Sequence, residues 1–434
     1  MKFLDLIRQN HSNPASLETL YRQALHQHTA EEFASDIQAV RSEAPENLLY
    51  AAWFYRLQEV VSEARVILWQ FALPLAVLCG LVLWALSDDS VFRFVDRIPL
   101  FMVVAFPLAG VCALGYLALS EQLHYRRAMI LTGVLVLFTI YPLLVVPRIS
   151  SWQQGPAADL VTLHLPLLAW ATVGIFLTGM KSTAQNRFTF VIKSLEVVTT
   201  GGLFAVAIGI FFAVTMGLFQ ALNIDVPDVV QRLLIAGIGG MVPVLAVAIV
   251  YNPMRSPYKQ DFSQGLSKFL ANLLRMMIIP TLVVAVTYVV FIPFNFMQPF
   301  NNRDVLFIYN GMLFAVIALL VGATPVHQEE LSQNLQTWLR RAILMVASLA
   351  VLVSLYALAA ILYRTWMDTL TMNRLVIIGW NTINIVVLSW MIYQQFRHKD
   401  EEWALASKKA YNLAAVAYTA WAAFIIIFIP LIFR

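Results

Sequence analysis

Three polar side chains, Arg374, Asn381 and Asn384, sit in or at the mouth of one apolar run, and their spacing raises the first chemical question. In the stretch from Tyr363 to Trp390, YRTWMDTLTMNRLVIIGWNTINIVVLSW, the residues Thr365, Asp368, Thr369, Thr371, Asn373 and Arg374 read as a loop. Leu375 to Ile392 then reads as a helix long enough to cross most of a bilayer core at about 1.5 Å per residue. At about 100° per residue, Arg374, Ile377, Asn381, Asn384 and Leu388 share one face, so the polar groups form a stripe. An amide left in hydrocarbon without a partner is expensive, so this face must point at protein or at water. Two chemistries fit: interhelical hydrogen-bond glue, or the lining of a water-filled path or ligand site. Asn310, deep in another apolar run, is one candidate partner, and Gly379 is expected to face lipid.

Other groups that could do chemistry are few. Proton-coupled pumps usually need buried carboxylates, and only Glu196 is well placed for that; it reads as the start of a span, beside Lys193, where an interfacial ion pair at a helix N-terminus is the plainer expectation. Arg275 and His164 read as lying near span ends, within reach of solvent. The seven histidines, at 11, 26, 28, 124, 164, 327 and 398, are dispersed. Nothing matches a phosphate loop, a nucleophile elbow or a zinc motif. No catalytic residue, metal ligand or cofactor is therefore expected, and enzyme readings rank low. Cys79 and Cys112 both fall in apolar runs and read as small apolar residues, with no disulfide framework implied.

The elements that must position these groups follow from composition. Of 434 residues, 60% are hydrophobic and only 12% charged, and the mean hydropathy is +0.73. A chain this apolar is an all-α, polytopic helical membrane protein whose first partner is the lipid bilayer. Hydrophobic runs appear at roughly 66–86, 98–119, 128–147, 160–179, 197–222, 233–251, 274–294, 305–325, 342–363, 374–393 and 412–433, giving about eleven transmembrane helices over residues 65–434.

The net charge of +4 gives no reason to expect nucleic acid; in such a chain lysine and arginine report threading. The connections after even-numbered spans hold Arg126, Arg127, Lys181, Arg187, Lys193, Arg255, Lys259, Lys268, Arg275, Arg340, Arg341, Arg397, Lys399, Lys408 and Lys409, fifteen in all. The alternate connections and the C-terminus hold eight: Arg93, Arg97, Arg148, Arg232, Arg303, Arg364, Arg374 and Arg434. This bias predicts a cytoplasmic N-terminus and an external C-terminus.

Residues 1–64 are polar enough to form a cytoplasmic helical region, partly on the membrane surface, and no apolar run near Met1 resembles a cleavable signal. Helix starts are expected at Ser16 and at Thr29, the latter paired with Glu32 as a capping box. Leu48, Leu49, Ala52, Trp53, Leu57 and Val60 recur at helical spacing, as a surface-lying helix or as one packed on its predecessors. In the fifth span Gly202, Ala205, Gly209, Ala213 and Gly217 trace a small-residue face, expected to be a packing seam; the alternative makes Thr199 to Gly202 an unwound cavity lining. Gly237, Gly239, Gly240 and Pro243 weaken the sixth. Residues 327–341 read as a surface helix, with Glu329 and Glu330 in its first turn.

Within this architecture Arg340 and Arg341 lead into a hydrophobic hairpin (Ala342 to Tyr363), followed by a loop ending LTMNR and a span carrying Trp380 and Asn381. That order resembles the bacterial multi-pass membrane proteins catalogued as the domain of unknown function 4153 family. The resemblance covers about the last 170 residues, and Thr369-Leu370 stands where the family usually has tyrosine-glycine. It implies a multi-pass fold in a bacterial inner membrane and brings no catalytic residue, because the family has no assigned activity. Two function classes remain: a carrier or channel for a small solute, which requires a polar cavity near the bilayer midplane, or a non-transporting sensor or assembly partner that recruits a protein through its N-terminal helices.

Overall fold

The computed structural model describes residues 3–26, 30–61, 67–121, 124–397 and 403–433; the expected cap Thr29 lies outside them. The chain divides into two units, Met1–Val66 and Ile67–Arg434.

The described residues of the first unit form four helices: α1 (Leu4–Gln9), α2 (Pro14–His26), α3 (Ala30–Glu43) and α4 (Leu48–Val61). Helix α2 starts at Pro14, earlier than Ser16, because the Asn13 side chain accepts the amides of Ala15 and Ser16 at 3.1 and 3.2 Å. Asn47 does the same for α4 through the amides of Leu49 and Tyr50. Four rings, Phe3, Tyr21, Phe33 and Trp53, meet with centroids 5.5–5.8 Å apart and make the centre of a core that also takes in Ile7, Leu17 and Ile37. Helix α4 therefore packs on its predecessors through Tyr50, Trp53 and Leu57, while Leu48, Ala52 and Tyr55, one helical face, are exposed. Arg8 clasps Glu43 with two hydrogen bonds and ties α1 to α3, and Arg56 and Arg22 both reach Glu18. These guanidinium hydrogen bonds hold the Glu43 and Glu18 carboxyls below the ordinary glutamate value.

Among its described residues the second unit consists of helices, their connections and one two-residue antiparallel ribbon that pairs Arg93 with Pro99 and Phe94 with Ile98. Its helices are α5 (Trp69–Leu86), α6 (Leu100–Glu121), α7 (Tyr125–Val145), α8 (Ser151–Thr178), α9 (Ala184–Ala221), α10 (Asp228–Arg232), α11 (Ile238–Val250), α12 (Gly265–Phe291), α13 (Gln298–Asn301), α14 (Arg303–Ala323), α15 (Gln333–Met367), α16 (Met372–Arg397) and α17 (Trp403–Ile432). Among the described residues ten helical segments are long and apolar enough to cross a membrane, and the apolar stretch Ile308–Ala323 within α14 is a shorter eleventh. Neighbours in sequence pack as neighbours in space: α5 on α6, α15 on α16 and α16 on α17, with α8 against α17 joining the earlier helices to the later ones.

Several helices run past their apolar cores. Residues 333–341 are the first turns of α15, so no separate surface helix precedes it, and Glu329 and Glu330 lie in the short 3-10 turn Gln328–Glu330. The loop before α16 shrinks to residues 368–371, placing Thr365 in α15 and Asn373 and Arg374 in α16. Of the sixth-span glycines, Gly237 and Gly240 act at a close crossing, whereas a Cβ at Gly239 would meet nothing within 4 Å. A π-turn, Leu233–Gly237, precedes α11, and a Cβ at Gly240 would meet the Cα of Gly80 on α5 at 3.2 Å.

The small-residue face of α9 is not a seam within this chain. The buried residues of α9 all fall between Phe188 and Val197. From Val198 to Ala221 none is buried, and a Cβ on Gly202, Gly209 or Gly217 would meet nothing within 4 Å. Thr199 to Gly202 are ordinary α-helix, not an unwound stretch. A stripe of small residues permits close approach, but the neighbours of α9 are used up by its first half.

Candidate functional site

Helix α16 carries its polar stripe into the bundle. Asn381 and Asn384 are each 1% exposed. The Asn381 side-chain amide donates to Asn310 Oδ1 on α14 at 2.9 Å and to its own helix at Ile377 O, 3.1 Å. Tyr418 of α17 donates its hydroxyl to Asn384 Oδ1, whereas Asn384 Nδ2 has no partner among the described residues. Arg374 stands apart from the asparagines: one guanidinium nitrogen meets Asp368 Oδ2 and another the Thr369 carbonyl, both at 2.6 Å, so it clamps its own loop.

A fourth polar contact joins this cluster. Trp380 donates its indole N–H to His164 Nε2 at 3.1 Å, while His164 Nδ1 lies 2.7 Å from the Leu160 carbonyl. A carbonyl can only accept, so these bonds assign the proton to Nδ1 and leave Nε2 as the acceptor. The Phe314 and Tyr418 rings meet Trp380 edge-on at 5.2 and 5.1 Å and close the cluster with aromatic surface. His164 lies midway along α8 and is 2% exposed, which corrects the expectation of a span-end histidine in contact with solvent. Gly379 is likewise not lipid-facing: the Trp421 ring lies where its side chain would go.

Glu196 belongs to a different place. Its Oε2 lies 2.5 Å from Lys193 Nζ, one turn earlier on α9, and the two side chains are 4% and 1% exposed. The ammonium also donates to the Asp261 carbonyl at 2.9 Å and to Ser267 Oγ at 3.2 Å, and the Ser267 hydroxyl donates to the same carboxylate oxygen. Phe262 covers the pair, its ring centroid 5.4 Å from Nζ. The pair is therefore a buried ion pair well inside α9, not an interfacial one at the helix start. The expectation fails because α9 begins at Ala184, three turns before the apolar run does. Lys408, expected in a connection, is also buried, inside α17, donating to the Val326 carbonyl at 2.6 Å with Phe188 5.6 Å away. Arg275, midway along α12, reaches the Ala323 carbonyl at the end of α14 at 3.3 Å, where a cation is favourable.

Chemically, the α16 cluster joins neutral donors to neutral acceptors, and the Lys193–Glu196 cluster balances one charge of each sign. Both arrangements hold helices together. The structure brings Asn381 and Asn310 into contact and leaves Arg374 and Glu196 elsewhere. It adds His164, Trp380, Tyr418, Lys193 and Ser267, of which His164 and Lys193 carried a signal in the sequence as polar groups in or beside apolar runs. Cys79 and Cys112 are buried and free. No group of three or more potential metal ligands occurs among the described residues. Fold and clusters together define an all-α polytopic membrane protein. Compared with protein-family models, curated proteins and solved structures, the chain matches none.

Proposed function

We propose that this is a non-transporting membrane protein of the bacterial inner membrane that recruits a soluble protein through its N-terminal helical unit. The observation that carries this reading is that the α16 stripe is turned onto side chains of the bundle itself, Asn381 onto Asn310 and Asn384 Oδ1 onto Tyr418, with both asparagines 1% exposed. A carrier would keep such groups open to water or solute. The exposed face of α4 supports recruitment: Leu48 is 85% and Tyr55 60% exposed on a unit that already has its own core. The threading argument survives the burial of Lys193 and Lys408, since fifteen cations less these two leaves thirteen against eight, favouring a cytoplasmic N-terminus and an external C-terminus. The resemblance of about the last 170 residues to bacterial multi-pass proteins supports the inner membrane.

A photo-crosslinking residue placed at Tyr55 in cells tests the reading. One discrete adduct, lost when Leu48 becomes Asp, is the expected result. No adduct, or the same adduct in the Leu48→Asp protein, refutes recruitment through this face. The carrier or channel reading stands second, and the unpartnered Nδ2 of Asn384 favours it.

A further inference from the structure

The connection between α12 and α14 carries Ile292, Pro293, Phe294, Phe296, Met297 and Phe300, and between Arg275 and Arg303 the sequence holds no charged residue. It is built from a 3-10 turn, Ile292–Asn295, and the short helix α13. Connections that run in water are polar; this one is not.

Ring contacts fix its depth. Phe296 and Phe300 lie against Tyr356 of α15, with centroids 5.3 and 6.0 Å away, and Phe300 also meets Tyr363 at 5.5 Å. The Tyr356 hydroxyl donates to the Phe296 carbonyl at 2.7 Å. Tyr356 precedes Tyr363, the last residue of the apolar run 342–363, by two turns, about 10 Å along the helix. The connection therefore folds back beside the final turns of a membrane span and does not project beyond them. Tyr309 of α14, hydrogen-bonded to Tyr288 of α12 through their hydroxyls, brings its ring within 6.2 Å of Tyr356. Tyrosines gather where acyl chains meet headgroups, which marks this level as the bilayer interface.

The surface and the backbone agree with that depth. Helix α12 has no buried residue after Ile278, so lipid covers its second half, and the exposed Phe291 and Phe294, the latter 78% exposed, continue that surface. The amides of Asn301 and Asn302 donate to the Met297 and Gln298 carbonyls, and Pro293 and Pro299 have no amide to satisfy.

We propose that residues 292–301 are an interfacial anchor: they lie at the boundary of acyl chains and headgroups, with Phe294 and Met297 in contact with lipid, and hold the half of α12 that the bundle leaves uncovered. The occupant of this surface is lipid and not a protein, because the surface continues the lipid-covered flank of α12 and the chain from Arg275 to Arg303 offers a soluble partner no charge to pair with.

Spin labelling of the full chain in phosphatidylcholine–phosphatidylglycerol vesicles tests this, with Cys79 and Cys112 replaced by alanine. Phe294→Cys and Met297→Cys carry the label, Val284→Cys on the exposed side of α12 is the lipid reference, and Arg341→Cys is the water reference. Collision with oxygen, which concentrates in lipid, is compared with collision with a neutral nickel chelate, which stays in water. The ratio of oxygen to chelate accessibility at 294 and 297 is expected to be several-fold higher than at 341 and to approach that at 284. Both side chains are exposed, and either position decides the question should the other variant fail to run as the parent does on size exclusion. A ratio no higher than at 341 places the connection in water and overturns the proposal. Exclusion of both colliders overturns it as well, since a second copy of the chain would then cover the surface.

Discussion

Replacing Glu196 with Gln removes one charge from the buried pair and almost no volume. The glutamine carbonyl can still accept from Lys193 and Ser267, so the hydrogen bonds survive while the Lys193 ammonium, 1% exposed, loses the charge of this carboxylate. Breaking a buried pair by neutralising one partner costs about 3–5 kcal/mol, and the retained hydrogen bonds place this case near 3. At roughly 2 °C per kcal/mol for a large chain, the melting temperature in detergent should fall by about 6 °C. The double variant Lys193→Met/Glu196→Leu removes both charges together and should recover to within about 1 kcal/mol of the parent, because two desolvated ions are replaced by apolar groups. Thermal melting followed by size-exclusion recovery reads both. A single variant as stable as the parent, or a double variant less stable than the single, refutes the account of this pair.

Two other outcomes follow from the packing and the surface charges. Gly379→Ala should lower stability by about 1–3 kcal/mol, because the new methyl overlaps the Trp421 ring, and Trp421→Leu in the same chain should restore part of the loss; an additive pair of losses in melting experiments contradicts this contact. Glu43 and Glu18 have folded-state values lowered by Arg8 and Arg56, so their stabilisation of the N-terminal unit is present above the unfolded value, about 4.3, and is lost as pH falls through the folded values. Hydrogen exchange of residues 4–9 and 30–43 in the full chain, corrected for intrinsic rates, should lose protection over that acid window, and Arg8→Gln should flatten the dependence for α1.

The sequence is most informative where a single chemical rule acts. Apolar runs of span length must become helices in a membrane, and the eleven runs correspond to ten long helical segments and the shorter stretch in α14. An amide within such a run needs a partner, which is why the inward turn of Asn381 and Asn384 can be reasoned from the stripe alone. Hydropathy is silent where helices outrun it. The first turns of α9 and α15 are polar, so Lys193 and Glu196 read as interfacial although α9 carries them inside. The His164–Trp380 bond depends on how α8 crosses α16, which no pattern along either helix specifies. Small residues on α9 show which face would admit a neighbour, not whether this chain provides one. Gly379 shows the converse, since its exposure is decided by Trp421, remote in sequence.

Water access to position 381 separates a dry bundle from a transport path. With the buried Cys79 and Cys112 replaced by alanine, single cysteines at Asn381 and, as a solvent-accessible reference, at Arg341 are exposed to a small charged thiol reagent in membrane fragments open on both faces. The arrangement of Asn381 against Asn310 predicts rapid modification at 341 and none at 381. Modification at 381 at a rate comparable to that at 341 would mean that water reaches the stripe, and the non-transporting account would give way to a carrier or channel.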